Sequence, residues 1–145
     1  ASLRTLFLGA EFNKTASDWE PYPSVRRENR MSPVVRKGLG LLAGVIAASL
    51  CVAGVETAGH AILSGDGAFG AAIFALGVGA VVGGVVASRL GQSAALAWAV
   101  GALLAMLSLV NILSFPHPVW FVPAAGLALL LATMLAARLA PRAMA

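Results

Sequence analysis

The chain is short of charge. Asp, Glu, Lys and Arg make up 11% of its 145 residues, against roughly 25% in an ordinary soluble domain. That deficit, with 59% hydrophobic residues, excludes a soluble globular enzyme as the starting point and indicates a membrane protein. Cysteine is nearly absent: Cys51 stands alone, so no internal disulfide forms and compartment is not readable from thiols. Also absent are HExxH, CxxC, the phosphate-cradling GxxxxGK and any Ser/His/Asp set near a plausible pocket, so none of the motifs that announce metal, redox, nucleotide or acyl-transfer chemistry is present. Strand-like alternation in segments of about ten residues is missing too, which argues against a transmembrane barrel. The glycine-rich stretch GVGAVVGG lies inside an apolar run and reads as packing.

A sequence pI near 10.2 raises the possibility of nucleic-acid binding. The basic residues, however, sit in short clusters flanking apolar runs, as membrane topology requires, and nucleic acid is set aside as a partner. Residues 1–38 contain seven of the ten Lys and Arg and four of the six Asp and Glu. Two prolines in WEPYPSVRRENR prevent a continuous helix there, so this segment is expected to be a polar, extramembranous arm. Numbering begins at Ala1, as if an initiator methionine had been removed. Met31, opening MSPVVRKG, offers a second start. The first apolar run is too long for a signal-peptide core of about 7–15 residues, and Leu50 stands where a lipoprotein signal before Cys51 would place a small residue. A retained span is expected.

Four apolar segments follow, each near the roughly 20 residues a spanning helix needs: about 39–63, 69–90, 93–115 and 119–139, with a short tail at 141–145. Helices satisfy backbone polar groups within the segment, which lipid demands. The expected fold is an all-α membrane protein, a four-helix transmembrane bundle with a polar N-terminal arm. Arg26, Arg27, Arg30, Arg36, Lys37, Arg89, Arg138 and Arg142 then fall on one side and only Asp66 and His117 on the other. The positive-inside rule places both termini in the cytoplasm. Phe69, Phe115, Trp120 and Phe121 would form an aromatic belt at the outer interface.

Within lipid, helices associate through close packing. Ala75, Gly79, Gly83 and Ala87 in the second span, and Gly40, Gly44 and Ala48 in the first, recur every four residues. Such a ridge drifts about 40° per step on a 3.6-residue helix, so each strip is expected to make a local contact, within the bundle or with a partner subunit.

The residues out of place are Glu56 and His60 in GVETAGHAIL. They lie one turn apart on one side of the first span, toward its outer end, at a depth similar to Asn111 and close to His117 of the outer loop. A charged carboxylate costs on the order of 2.5–3.5 kcal/mol at the centre of a span. Protonation, pairing with His60 or cation binding would each offset that. The cluster therefore has several readings: a polar clasp between the first and third helices, a proton or cation site, or a metal held by Glu56, His60 and His117. Neither histidine lies at mid-span, so haem ligation is not supported and no cofactor is expected.

ETAGHAIL, GGVVASRL and NILSFPHPVWF together resemble the ExxGH, GGxxAxR and N…PHPxWF patterns of a family of small four-span bacterial inner-membrane proteins. The likeness covers about residues 36–142 and carries Glu56, Gly59, His60, Gly83, Gly84, Ala87, Arg89, Asn111, Pro116, His117, Pro118, Trp120 and Phe121. It implies the fold, a bacterial inner-membrane location and a shared polar cluster, with no assigned activity. The first outer loop is shorter here than in that family. VETAGH also resembles, locally, the first span of small multidrug-resistance transporters, but the long arm, the outward position of Glu56 and the missing substrate-site aromatics depart from them.

Three functions follow in order: a non-catalytic accessory or interaction subunit of a larger inner-membrane complex, in contact with lipid and with other subunits or itself; a small proton- or cation-coupled transporter or channel using Glu56; and an outer-face metal site. The topology is tested in a Cys51→Ala background. Asp66→Cys is expected to react with a membrane-impermeant thiol reagent added outside and Arg89→Cys to stay unlabelled; the reverse pattern overturns the orientation.

Overall fold

Ser32 and Pro33 start the first helix. The Ser32 hydroxyl accepts a hydrogen bond from the Val35 amide at 3.3 Å, and proline suits the first helical turn because its missing N–H would have no partner there. In the computed structural model, which describes residues 31–140, four helices follow in order: α1 (Pro33–Ile62), α2 (Asp66–Gly91), α3 (Ala95–Ser114) and α4 (Phe121–Leu139). No strand occurs among the described residues. All four helices are long and apolar enough to cross a membrane, and the fold is that of an all-α, four-helix membrane protein. Most of the expected polar arm, residues 1–30, and the tail at 141–145 lie outside the described residues.

Helix α1 begins six residues before the apolar run. Nothing between Pro33 and Leu39 breaks a helix, and 30 residues at 1.5 Å each span about 45 Å, against a hydrocarbon slab of about 30 Å. The turns carrying Arg36 and Lys37 thus extend beyond the apolar length. Short connections make consecutive helices antiparallel. Arg36, Lys37, Arg89 and Arg138 consequently share one end of the bundle, and Asp66 and His117 the other.

The turns have local causes. Gly65, at φ 56° and ψ −131°, occupies a region that a side chain disfavours. At the other end of α2 the left-handed residue is Gln92 (φ 52°, ψ 44°), where glycine is the usual choice. Glycine is used one residue earlier: Gly91 lies against Leu96 and the Lys37 backbone, and a Cβ on Gly40 would come 2.6 Å from the Gly91 nitrogen. Beyond α3, Pro116 and Pro118 interrupt helical continuity, and the Phe121 amide donates to the Pro118 carbonyl at 2.9 Å.

Helix α2 is the hub. It packs on all three other helices and most extensively on α1, whereas α1 barely meets α3 and does not reach α4. Small residues on two sides of α2 make this possible. On one side, a Cβ added to Gly44 would lie 2.6 Å from the Gly83 carbonyl oxygen, and one added to Gly83 would lie 2.5 Å from the Gly44 oxygen. About 100° around the helix, a Cβ on Gly84 would lie 2.7 Å from the Ala136 Cβ of α4. Backbone-to-backbone approach of this kind supplies the dispersion that lipid cannot displace. The fully buried residues are correspondingly small, with Val100 and Ser88 the largest of them.

The α1–α2 seam runs farther than the expected local contact. It steps by four from Gly40 through Gly44 and Ala48 to Val52, which faces Gly79, then by seven to Gly59, which meets Ala71. The seven-residue step, at 3.5 residues per turn, cancels part of the drift that successive fours accumulate.

Gly44→Val and Gly83→Val are each expected to destabilise the purified protein by about 1–3 kcal/mol or more through overpacking. Gly54→Ala and Gly77→Ala, where an added Cβ meets nothing within 4 Å, are expected to be neutral or stabilising by up to about 1 kcal/mol. Denaturation in detergent followed by helical circular dichroism checks both pairs.

Candidate functional site

Glu56 and His60 occupy the last two turns of α1. The Glu56 carboxylate oxygen Oε1 and His60 Nε2 are 3.8 Å apart, too far for a hydrogen bond, so their interaction is one of charge alone and requires a protonated imidazole. Side-chain exposure is 39% for Glu56 and 56% for His60. Glu56 lies six residues from the end of α1, about 9 Å along the axis.

Glu56 opens into a cleft of about 260 Å³ between α1, α2, α3 and the first residue of α4. Ser49 and Glu56 contribute from α1, Ser108 and Asn111 from α3, and Phe121 from α4. Leu76 and Leu104 help to form its apolar wall. The cleft exists because α1 follows α2 while α3 turns away to pack with α4, leaving the α1–α3 angle unfilled. Among the described residues no hydrogen bond joins Asn111 to Glu56; the two side chains line the same cleft.

Ser108 stands apart from the other helical serines. Ser88 donates to the Val85 carbonyl at 3.1 Å and Ser114 to the Val110 carbonyl at 2.7 Å, the usual back-bonding that satisfies a hydroxyl in an apolar helix. The Ser108 hydroxyl oxygen is buried with no partner.

His117 belongs to a different cluster. Its Nδ1 lies 2.7 Å from the Phe115 carbonyl oxygen, to which an Nδ1–H donates. Its ring lies 4.7 Å from that of Phe121, tilted by 30°, and meets Phe69 edge-on at 5.7 Å. Phe121 is 3% exposed; it is a core anchor that tethers the loop to α2, and of the expected belt Phe115 and Trp120 remain at the surface. Among the described residues no three of His, Cys, Asp and Glu gather as metal ligands. Glu56, His60 and His117, considered above as a metal set, are not assembled into one.

Thus Glu56 and Asn111 meet in the cleft, His60 flanks it, and His117 connects to it only through Phe121, whose ring serves both places. Ser49 and Ser108 were not anticipated. Their spacing was the available signal: Ser49 and Glu56 are seven apart on α1, and Ser108 and Asn111 three apart on α3, each a pair on one helical face.

The fold defines an integral, multi-pass membrane protein with a carboxylate-bearing cleft between its helices. Comparison of the chain with protein-family models, with curated proteins and with solved structures finds no match.

Ser108→Ala is expected to leave the isolated protein unchanged or slightly more stable, because it removes a hydroxyl that has no partner. His117→Ala is expected to destabilise it by about 0.5–1.5 kcal/mol through loss of the aromatic contacts. Thermal unfolding of the purified variants distinguishes the two.

Proposed function

We propose that the chain is a non-catalytic interaction subunit of a larger bacterial inner-membrane complex, with both termini in the cytoplasm and the Glu56 cleft in the outer leaflet. The observation that carries the reading is the open α1 side of the bundle: Glu56 stands part-exposed on α1, whose backbone does not pack against that of α4. A charged carboxylate facing lipid is costly, and a neighbouring chain seated over α1 removes that contact. Large apolar side chains continue the bare face, with Leu42, Ile46 and Leu50 exposed at four-residue intervals. The gathering of Arg36, Lys37, Arg89 and Arg138 at one end supports the orientation through the positive-inside rule. The likeness to the small four-span family with ExxGH, GGxxAxR and PHPxWF patterns is part of the same proposal.

Purification from native membranes in mild detergent, followed by mass spectrometry, tests it. Stoichiometric co-elution of another membrane protein is expected, and elution as an isolated monomer or homo-oligomer overturns the proposal.

The cleft also favours a second reading, a proton- or cation-coupled transporter with Glu56 as its titrating group, since four polar side chains line a volume of about 260 Å³. Here Glu56→Gln in proteoliposomes is expected to abolish coupled flux, and flux unchanged by the substitution overturns it.

A further inference from the structure

The cleft has three features that together specify what fills it. The first is its charge. Glu56 supplies a carboxylate, and the described Lys and Arg residues, Arg36, Lys37, Arg89 and Arg138, all lie at the opposite end of the bundle. Twenty residues of α1 separate Arg36 from Glu56, about 30 Å. Nothing else on the helices packed around the cleft brings a permanent cation to it; His60, itself 56% exposed, is the one titratable neighbour, and at 3.8 Å it makes no hydrogen bond to the carboxylate.

The second feature is hydrogen-bonding capacity. Glu56, Asn111 and Ser108 line one space and each carries an acceptor oxygen; the Ser108 oxygen is buried without a partner. A lysine ammonium brings three donors and an arginine guanidinium five, with no acceptor on either. The third feature is size and access. About 260 Å³ falls below the roughly 300–1,000 Å³ of small-molecule pockets and below the roughly 400 Å³ swept by a single turn of a helix about 10 Å across. It suits one long side chain, whose methylene stem would lie along Leu76 and Leu104 while its charged head meets the polar groups. The cleft is open at the side, between α1 and α3, where a neighbouring helix can approach.

We infer that the cleft receives a single basic side chain, Lys or Arg, from a transmembrane helix of another protein, and that Glu56 is its counter-ion. The inference rests on the interaction-subunit reading and names the partner's chemistry. Pairing two charges within the membrane removes the cost of each standing alone, so such a contact selects a partner by the depth at which its cation lies.

The test places a photo-crosslinking residue, Leu107→p-benzoylphenylalanine, at the exposed rim of the cleft in the full chain, in native membranes, and identifies the crosslinked peptide by mass spectrometry. The expected product joins α3 to a transmembrane segment of a different protein with a Lys or Arg within one helical turn of the crosslinked position. Its yield falls on the order of tenfold or more with Glu56→Gln, because an unpaired buried charge is left on the partner, and is largely kept by Glu56→Asp. Exchanging the charges, Glu56→Lys here with Glu at the partner's basic position, restores it. A crosslinked segment without a basic residue within one turn, or a yield that Glu56→Gln leaves unchanged in a variant of normal unfolding temperature, overturns the basic side chain and leaves the subunit reading standing. Crosslinking only to a second copy of this chain, or none with the protein eluting alone, overturns both.

Discussion

The approach of α1 and α2 at Gly44 and Gly83, where a Cβ on either glycine would come 2.5–2.6 Å from the other's carbonyl oxygen, sets the geometry of everything around it. In water, two apolar helices are driven together by the surface they remove from solvent. In a bilayer that drive is largely lost, because lipid tails are as apolar as the side chains. What remains is dispersion, which falls steeply with separation. Glycine and alanine at the contact shorten that separation. The same residues bring little side chain of their own, so the bundle is held by backbone proximity more than by a conventional core. Its large apolar residues, such as Leu50 and Leu113, point outward, toward lipid or a partner.

This arrangement has a structural consequence for the site. Because the α1-facing strip of α2 is a groove for one helix, α1 is committed to α2 along almost its whole length. The Gly84 side of α2 is committed to α3 and α4, which in turn lock through Gly101 against Thr133. The helices form a compact trio with α1 attached to one member. The angle between α1 and α3 is left unfilled, and Glu56, Ser108 and Asn111 face it. The cleft is therefore produced by the same small-residue packing that stabilises the fold.

Much of the architecture was legible because lipid imposes strict rules. Span lengths and connections are set by bilayer thickness and backbone hydrogen bonding, and the observed helices fall within a few residues of the apolar runs except at the start of α1. There the Ser32 cap and Pro33 start the helix six residues early, over PVVRKG, and hydrophobicity does not report where a helix ends outside the membrane. The α1–α2 seam was readable from its four-residue spacing, but its continuation to Gly59 was not, since a change of step from four to seven depends on how the two helices bend around each other. For the site, Glu56 was conspicuous because a carboxylate in a span is rare. Ser49 and Ser108 were inconspicuous because serine ordinarily satisfies itself by bonding to its own helix; only the three-dimensional contrast of Ser108 with Ser88 and Ser114 separates them. His117 was placed with Glu56 by depth alone. Depth is one coordinate of three, and the stacking partners Phe69 and Phe121 put its ring among the aromatics instead.

Charge is divided unevenly along the bundle. Arg36, Lys37, Arg89 and Arg138 stand at one end of the bundle. Glu56 stands near the other, about 9 Å inside the helix end, with an imidazole 3.8 Å away. An isolated ion pair at the surface contributes little, because water competes for both charges. The same pair shielded from water interacts far more strongly, since the effective dielectric constant falls, and its gain survives only if the remaining lone pairs are also satisfied. Asn111 and Ser108 supply polar groups for that purpose, and Phe121 closes the cleft on the side of the aromatic cluster. His60 is too exposed to complete the pair from within. The arrangement has the parts of a well-solvated intramembrane ion pair except its cation, which the fold has kept at the far end of every helix that carries one.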